Sequence, residues 1–371
     1  MFELTNEQRK CFALPPVLNS WRKVEVKKSP HDDFFTYAYL DGKKIVKVIM
    51  VSDIPGHDRY REFGVDQILS DDGTKILPKT NKGTPQNFTS SNLIAKTSIG
   101  MALLFDSGYV DVVNMTAEQS FYRSCYNSEK LETLNDFSKW VDDWCYNTGE
   151  KELSEIIDFS KRTKIHQKFK EGDFFKFRIN RSLFGYGRIL VDYAKMRKEG
   201  IPFWDGFMGK PLCVAVYHLV TEDANVNPAF LVNLKMIPSQ MIMDNIFYYG
   251  ECVIIGNIPI SPDEDNFTIH YGRSMDARTA NYLYYQCGKT HVALEGEKEL
   301  YLHEDKIFGG FRYKDIGWSL NIQLPILLEC IKKDSNEPYW DMIPAWRANR
   351  DLRNPKFKEE LKQIKKQMGV Q

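Results

Sequence analysis

Phe169–Tyr193, FKEGDFFKFRINRSLFGYGRILVDY, decides how this chain is read. Lys170-Glu171-Gly172-Asp173 has the composition of a tight turn, with Gly172 free to take the positive φ that other residues resist. From Phe174 to Ile179 the residues alternate, placing Phe175, Phe177 and Ile179 on one side and Lys176 and Arg178 on the other. Asn180-Arg181-Ser182 turns the chain back, and Gly185–Val191 is expected to return as the partner strand. Tyr186 stands between two glycines, so backbone or a ligand can approach closely there. The stretch predicts a hairpin that opens a β-rich domain.

Downstream of the hairpin, Cys213–Leu219 and Phe230–Met236 read as apolar strands separated by the polar loop Thr221–Pro228. Phe247–Ile255, Thr268–Tyr271, Tyr282–Tyr285 and Val292–Leu294 continue the pattern, and their spacing suits a curved sheet or barrel-like core. Lys306–Arg312, with two adjacent glycines, is expected to bend. Leu320–Ile331 is apolar enough for a buried helix, and Pro355 suits the first position of a closing helix that runs to about Met368.

Upstream, Thr5 and Gln8 have capping-box spacing for a short helix. Trp21–Val26 and Phe34–Leu40 read as strands, and Asp41-Gly42 signals a hairpin into Lys43–Val51. Ser52–Asn92 is rich in turn residues, with room only for short strands at Asp66–Leu69 and Lys75–Leu77. Strand character returns over Ile94–Val113. Thr116 with Gln119 suggests a second capping box, and Leu131, Leu134, Phe137, Val141 and Trp144 recur at helical spacing. Asn147-Thr148-Gly149 ends that helix, and Glu150–Thr163 predicts another. The fold class is α+β. An N-terminal α+β domain (residues 1–163) precedes a mainly β domain (164–331) and a C-terminal helical extension (332–371).

The chain has 371 residues, and a hydrophobic share of 43% leaves enough apolar material for two cores. Its net charge is zero, which argues against a dedicated nucleic-acid binder. Seven scattered cysteines without CxxC spacing read as reduced thiols of a cytosolic protein. The charged start MFELTNEQRK lacks the apolar core of a secretory signal, and no apolar run approaches the ~18–20 residues of a membrane helix. The expected location is therefore the cytoplasm.

Catalytic signatures are absent from the sequence. Gly206-Phe207-Met208-Gly209-Lys210 lacks the frame of a phosphate loop, and Gly185-Tyr186-Gly187 lies inside a strand rather than at a strand-to-helix turn. The seven histidines are dispersed with no HExxH, so His31-Asp32-Asp33 and His303-Glu304-Asp305 read as solvated turns. No GxSxG elbow is present. Neither a metal, nor a cofactor, nor a catalytic residue is expected.

GDFFKFRI followed by FGYGRIL resembles the opening of the immunity protein 26 family of bacterial polymorphic toxin systems. Asp244–Gly250 (DNIFYYG), Val253–Asn257 (VIIGN) and His270–Arg273 (HYGR) follow in the same order. Tyr284–Gly288 (YYQCG) stands where that family carries an aromatic-Gln-aromatic-Gly pattern, from which Cys287 departs. The resemblance runs from about Lys168 to Leu302. The LTNEQRK opening is also similar to modules found beside immunity domains.

The resemblance implies a cytoplasmic protein that binds a cognate toxin domain and blocks it by stoichiometric occlusion. Trp204, Tyr248, Tyr249, Tyr271 and Arg273 are the residue types that dominate protein interfaces, and Asp205 adjoins Trp204 on the same loop as a further candidate contact. Asp263, Glu264 and Asp265 would complement a basic partner surface, as would Glu295, Glu297 and Glu299. Two alternatives stand beside this. Sequences like these sometimes carry an organophosphate-hydrolase label, which would demand a water-activating metal or an equivalent nucleophile. The chain could otherwise serve as an adaptor within a larger assembly.

Overall fold

The computed structural model describes residues 2–28, 33–54, 56–201, 209–273, 282–295, 316–317 and 320–370. The expected bend at Lys306–Arg312 lies outside them. The chain forms two compact units, one of Met1–Ile165 with Ile179–Ser182 and the other of His166–Arg178 with Leu183–Gln371.

The first unit is built on a seven-stranded antiparallel sheet. Its strands are β1 (Arg22–Glu25), β2 (Phe35–Asp41), β3 (Lys44–Ser52), β4 (Arg59–Ile68), β7 (Ser98–Asp106), β8 (Tyr109–Asn114) and β9 (Gln119–Arg123), in that order. Between them lie the small ladder β5 (Lys75–Ile76) with β6 (Gln86–Asn87) and helix α2 (Ser90–Ile94). Helix α1 (Asn6–Cys11) starts at Thr5, whose hydroxyl accepts the Gln8 amide while the Gln8 side chain accepts the Thr5 amide. The β2–β3 turn uses Gly42 at φ 60°, as the Asp-Gly signal requires.

Both faces of this sheet are covered. Phe12 just after α1, Phe137, Val141 and Trp144 of α3 (Leu134–Tyr146), and Ile156 and Phe159 of α4 (Glu150–Ser160) pack over Tyr60, Leu103, Phe105 and Val112. Ala38, Val48, Met50 and Phe63 face the other way, against Ile76 and Leu93.

Two expectations for this unit are corrected. Arg59–Ile68 is a ten-residue central strand, where the turn-rich composition suggested only a short one at Asp66–Leu69. Its charged residues disguise it, because Glu62 is buried there against cations instead of facing water. Thr116 and Gln119 form no helix cap. Glu118 turns the chain at φ 56°, and Gln119 opens β9, which pairs with β8 and buries Phe121 and Tyr122. The capping box belongs to Thr133 and Asp136, one turn into the predicted apolar stripe.

The second unit contains β10 (Asp173–Arg178) and β11 (Phe184–Asp192), the predicted hairpin. Gly172 sits at φ 85° in the turn before it. The glycines beside Tyr186 have a specific use: Phe175 pairs with Gly187 and Phe177 with Gly185, so each ring lies across bare backbone. Helix α5 (Tyr193–Lys198), strand β12 (Pro211–Thr221), helix α6 (Pro228–Leu231), strand β13 (Gln240–Met243), helix α7 (Asn245–Tyr248) and strand β14 (Val253–Asn257) follow. The six-stranded sheet runs β14-β10-β11-β12-β13-β18, with β18 (Ile316–Gly317) parallel to β13 and the other neighbours antiparallel. A second sheet consists of β15 (Ile269–Arg273), β16 (Tyr282–Cys287) and β17 (Thr290–Glu295).

None of these sheets closes on itself, which corrects the barrel-like alternative. The predicted strand at Phe230–Met236 is also absent. Asn227 caps the Ala229 amide and Pro228 occupies the first turn, so the segment starts as a helix and meets a strand only at the Met236–Tyr217 bridge. The Phe247–Ile255 run divides between the end of α7 and β14. At the C-terminal end stand α8 (Leu324–Lys333), α9 (Glu337–Met342), α10 (Ala345–Ala348) and α11 (Lys358–Met368). Ile364 and Met368 of α11 pack on Tyr271, Leu283 and Tyr285 of the three-stranded sheet.

Candidate binding site

The second unit contains a cleft of about 740 Å³. Leu190 and Val191, at the end of β11, and Ile269 of β15 supply apolar lining. The loop Ile260–Phe267 forms one wall, the β16–β17 turn with Cys287, Lys289 and Thr290 another, and Leu361 and Lys365 of α11 with Arg353 complete it. A volume of this order lies within the ~300–1,000 Å³ range of ligand sites.

Hydrogen bonds hold these walls in place. The Asn266 side chain donates to the Ile237 carbonyl at 2.9 Å and accepts the Ser239 amide at 3.0 Å, pinning the acidic loop. Glu264 turns one oxygen back onto the Asn266 amide at 2.9 Å. Arg353 donates to both oxygens of Asp351, at 2.9 and 2.6 Å, and to the hydroxyl and carbonyl oxygens of Ser239. Glu171 accepts from Lys289 at 2.9 Å and pairs with Lys195 at 3.4 Å. Burial alone would raise the Glu171 carboxyl, but Lys289, the Asp192 amide and Lys195 outweigh it and hold the group below its ordinary value. Burial pushes the Cys287 thiol up, which keeps it protonated and a poor nucleophile.

A second surface feature lies on α7. The exposed His166 ring stacks on Tyr248 with centroids 4.4 Å apart, and Tyr249 meets Tyr248 edge-on at 5.1 Å. Gln167 fixes this shelf. Its side chain donates to the Phe247 and Cys252 carbonyls and accepts the Ile254 amide, while its own amide donates to the Tyr248 carbonyl.

The residues singled out from sequence are therefore dispersed. Tyr248 and Tyr249 stand together on the aromatic shelf. Glu264 and Asp265 line the cleft, with exposed Asp263 adjoining them. Tyr271 is corrected: it is fully buried, its hydroxyl donating to Gln367, because its alternate position on β15 points toward α11. Arg273 closes β15 opposite Leu283. Trp204, Asp205, Glu297 and Glu299 lie outside the described residues, as do His31 and His303, and Glu295 ends β17 on the exposed side. Sequence reasoning missed His166, Lys289, Arg353 and Lys365. Only Lys365 had a local signal, its place one residue from the buried stripe of α11. Among the described residues no group of three or more His, Cys, Asp or Glu side chains could hold a metal ion, and no helix is long and apolar enough to cross a membrane.

Residues 170–281 match the family described as immunity protein 26. The match takes in β10 to β15, hence Tyr248 and Tyr249 of the aromatic shelf and the acidic wall of the cleft, while His166, Gln167, β16, β17, Arg353 and α11 lie beyond it. No curated protein and no solved structure matches the chain.

Proposed function

We propose that this chain is an immunity protein that neutralises a cognate bacterial toxin domain by occupying its surface one-to-one, inside the producing cell and without chemistry of its own. The observation that carries the reading is the immunity protein 26 match over residues 170–281, which coincides with a folded sheet and its adjoining loops. Surface features of that segment support it: the adjoining Tyr248 and Tyr249 rings, of a kind that supplies large contact area, and an exposed acidic loop fixed by hydrogen bonds. On this reading the second unit carries recognition and the first is an accessory domain.

Co-expression in a bacterial host with the toxin module encoded beside the chain tests this. Growth should be restored only when the chain is present in at least equal amount, and the two proteins should co-purify at one-to-one stoichiometry. Protection at a small fraction of the toxin level would point to turnover and overturn occlusion. No protection despite full expression of both would overturn the immunity role.

A further inference from the structure

We propose that Cys11 and Cys145 of the first unit form a dithiol site, which a low-molecular-weight disulfide oxidises to an intramolecular bond that staples the N-terminal helix to α3. Both residues lie outside the segment that matches the immunity family, and the site stands whether or not the chain meets a toxin.

Helix α1 packs against α3. The two thiols meet in that contact on adjacent carbonyls of one helical turn. Cys11 Sγ donates to the Glu7 carbonyl at 3.5 Å, and Cys145 Sγ to the Gln8 carbonyl at 3.8 Å. Burial, and then the neighbouring Cys11 side chain, pushes the Cys145 thiol up. The pair is held from both flanks. Phe12, next to Cys11, stacks on Trp144, next to Cys145, with ring centroids 5.3 Å apart. The Trp144 indole donates to the Cys11 carbonyl at 3.1 Å, and the Gln8 side chain donates to Asp142 at 2.8 Å. Thiols kept side by side in this way need little rearrangement to join.

Their placement sets the order of events. The Cys11 thiol lies on the solvent side of the contact and that of Cys145 further in. Cys11, as thiolate, attacks the disulfide of the oxidant and expels one thiolate. Cys145 then attacks the Cys11 sulfur, passing its proton to the first expelled thiolate and displacing a second. One S–S bond forms in the protein and one breaks in the oxidant, which leaves as two thiols carrying two electrons and two protons. All seven strands of the first sheet, from β1 to β9, lie between the two cysteines in sequence. The closed loop therefore restricts the unfolded state of the whole sheet, and long loops restrict it most. Oxidation raises the stability of the first unit and leaves that of the second as it was.

The full-length chain is incubated with oxidised glutathione, alkylated, digested without reduction and mapped by mass spectrometry. Cys11 and Cys145 should appear in one cross-linked peptide pair that dithiothreitol separates. Hydrogen exchange should slow across β1–β9 on oxidation, with no change over β10–β14. Neither effect should survive Cys11→Ser or Cys145→Ser. Recovery of both residues as free thiols, or each carrying glutathione, would overturn the proposal. So would either of them bonded to the exposed Cys125 instead. A Cys11–Cys145 link that leaves exchange in the first unit unchanged would refute the staple.

Discussion

In the first unit Glu62 accepts from Arg9 at 2.8 Å and Lys47 at 2.5 Å, with none of the three side chains more than 3% exposed. In the second, Glu171 holds Lys289 at 2.9 Å and Lys195 at 3.4 Å, but those lysines are 70% and 52% exposed. The chemistry is the same and the roles differ. Around Glu62 the network continues through Tyr60, which donates to its other oxygen, and Lys47 also reaches the Pro15 carbonyl. Arg9 further donates to Glu3, which takes Lys23 and Tyr39 as well. The whole set ties the N-terminal segment to the middle of the sheet. Burial draws the Lys47 ammonium below its usual range, although Glu62 opposes this. Charges so placed hold a fold, because water cannot replace a lost partner. Charges in solvent add little stability and stay available to a ligand.

The contrast can be broken at Glu62 first. Glu62→Gln would leave two buried cations without their counter-charge and should cost about 3–5 kcal/mol in denaturant unfolding of the first unit. A loss below 1 kcal/mol would show that water enters the network. Next in size is Gly187→Ala, where the added carbon would sit 2.5 Å from the Ala215 carbonyl oxygen and against the Phe175 ring. Overpacking of this kind costs about 1–3 kcal/mol, and the loss should appear as faster amide exchange in the β10–β12 part of the second unit.

Acidification should separate the units more gently. Burial lowers His291 to about 4 from an ordinary value of 6.5, and His218 is lowered by the same cause. The folded state therefore binds fewer protons than the unfolded one below pH 6.5. Stability from these histidines is complete above that value and is lost as pH falls toward 4. In the first unit the Glu3 carboxyl is depressed: burial would raise it, but Lys23, Tyr39 and Arg9 prevail. Its contribution is lost only as pH falls below its ordinary 4.5. Hydrogen exchange between pH 6.5 and 4.5 should accordingly show the second unit loosening before the first. The smallest effect belongs to Lys289→Ala, which should change stability by less than about 1 kcal/mol. Measured beside Glu62→Gln, it gives the ratio between a buried and an exposed pair directly.

Patterns with a single interpretation were readable without coordinates. The Phe174–Ile179 alternation, the Asp-Gly turn and the Phe137-Val141-Trp144 stripe each match what the structure contains, since local periodicity determines which face is apolar. Strand β4 was not readable, because its glutamate becomes tolerable only once Arg9 and Lys47 arrive from other parts of the chain. Tyr271 looked like an interface residue until α11, some ninety positions later, was found lying over it.

What the residue order alone determined was the hairpin, the mixed α+β character and the likeness to an immunity family, all of which rest on neighbours within a few positions. Tertiary structure decided which aromatic rings face water and which carboxylates are buried, and gathered one cleft from β11, the acidic loop, the β16–β17 turn and α11. The reason is that burial, and with it the energetic meaning of a charge, depends on partners distant in sequence, and only the folded chain brings them within reach.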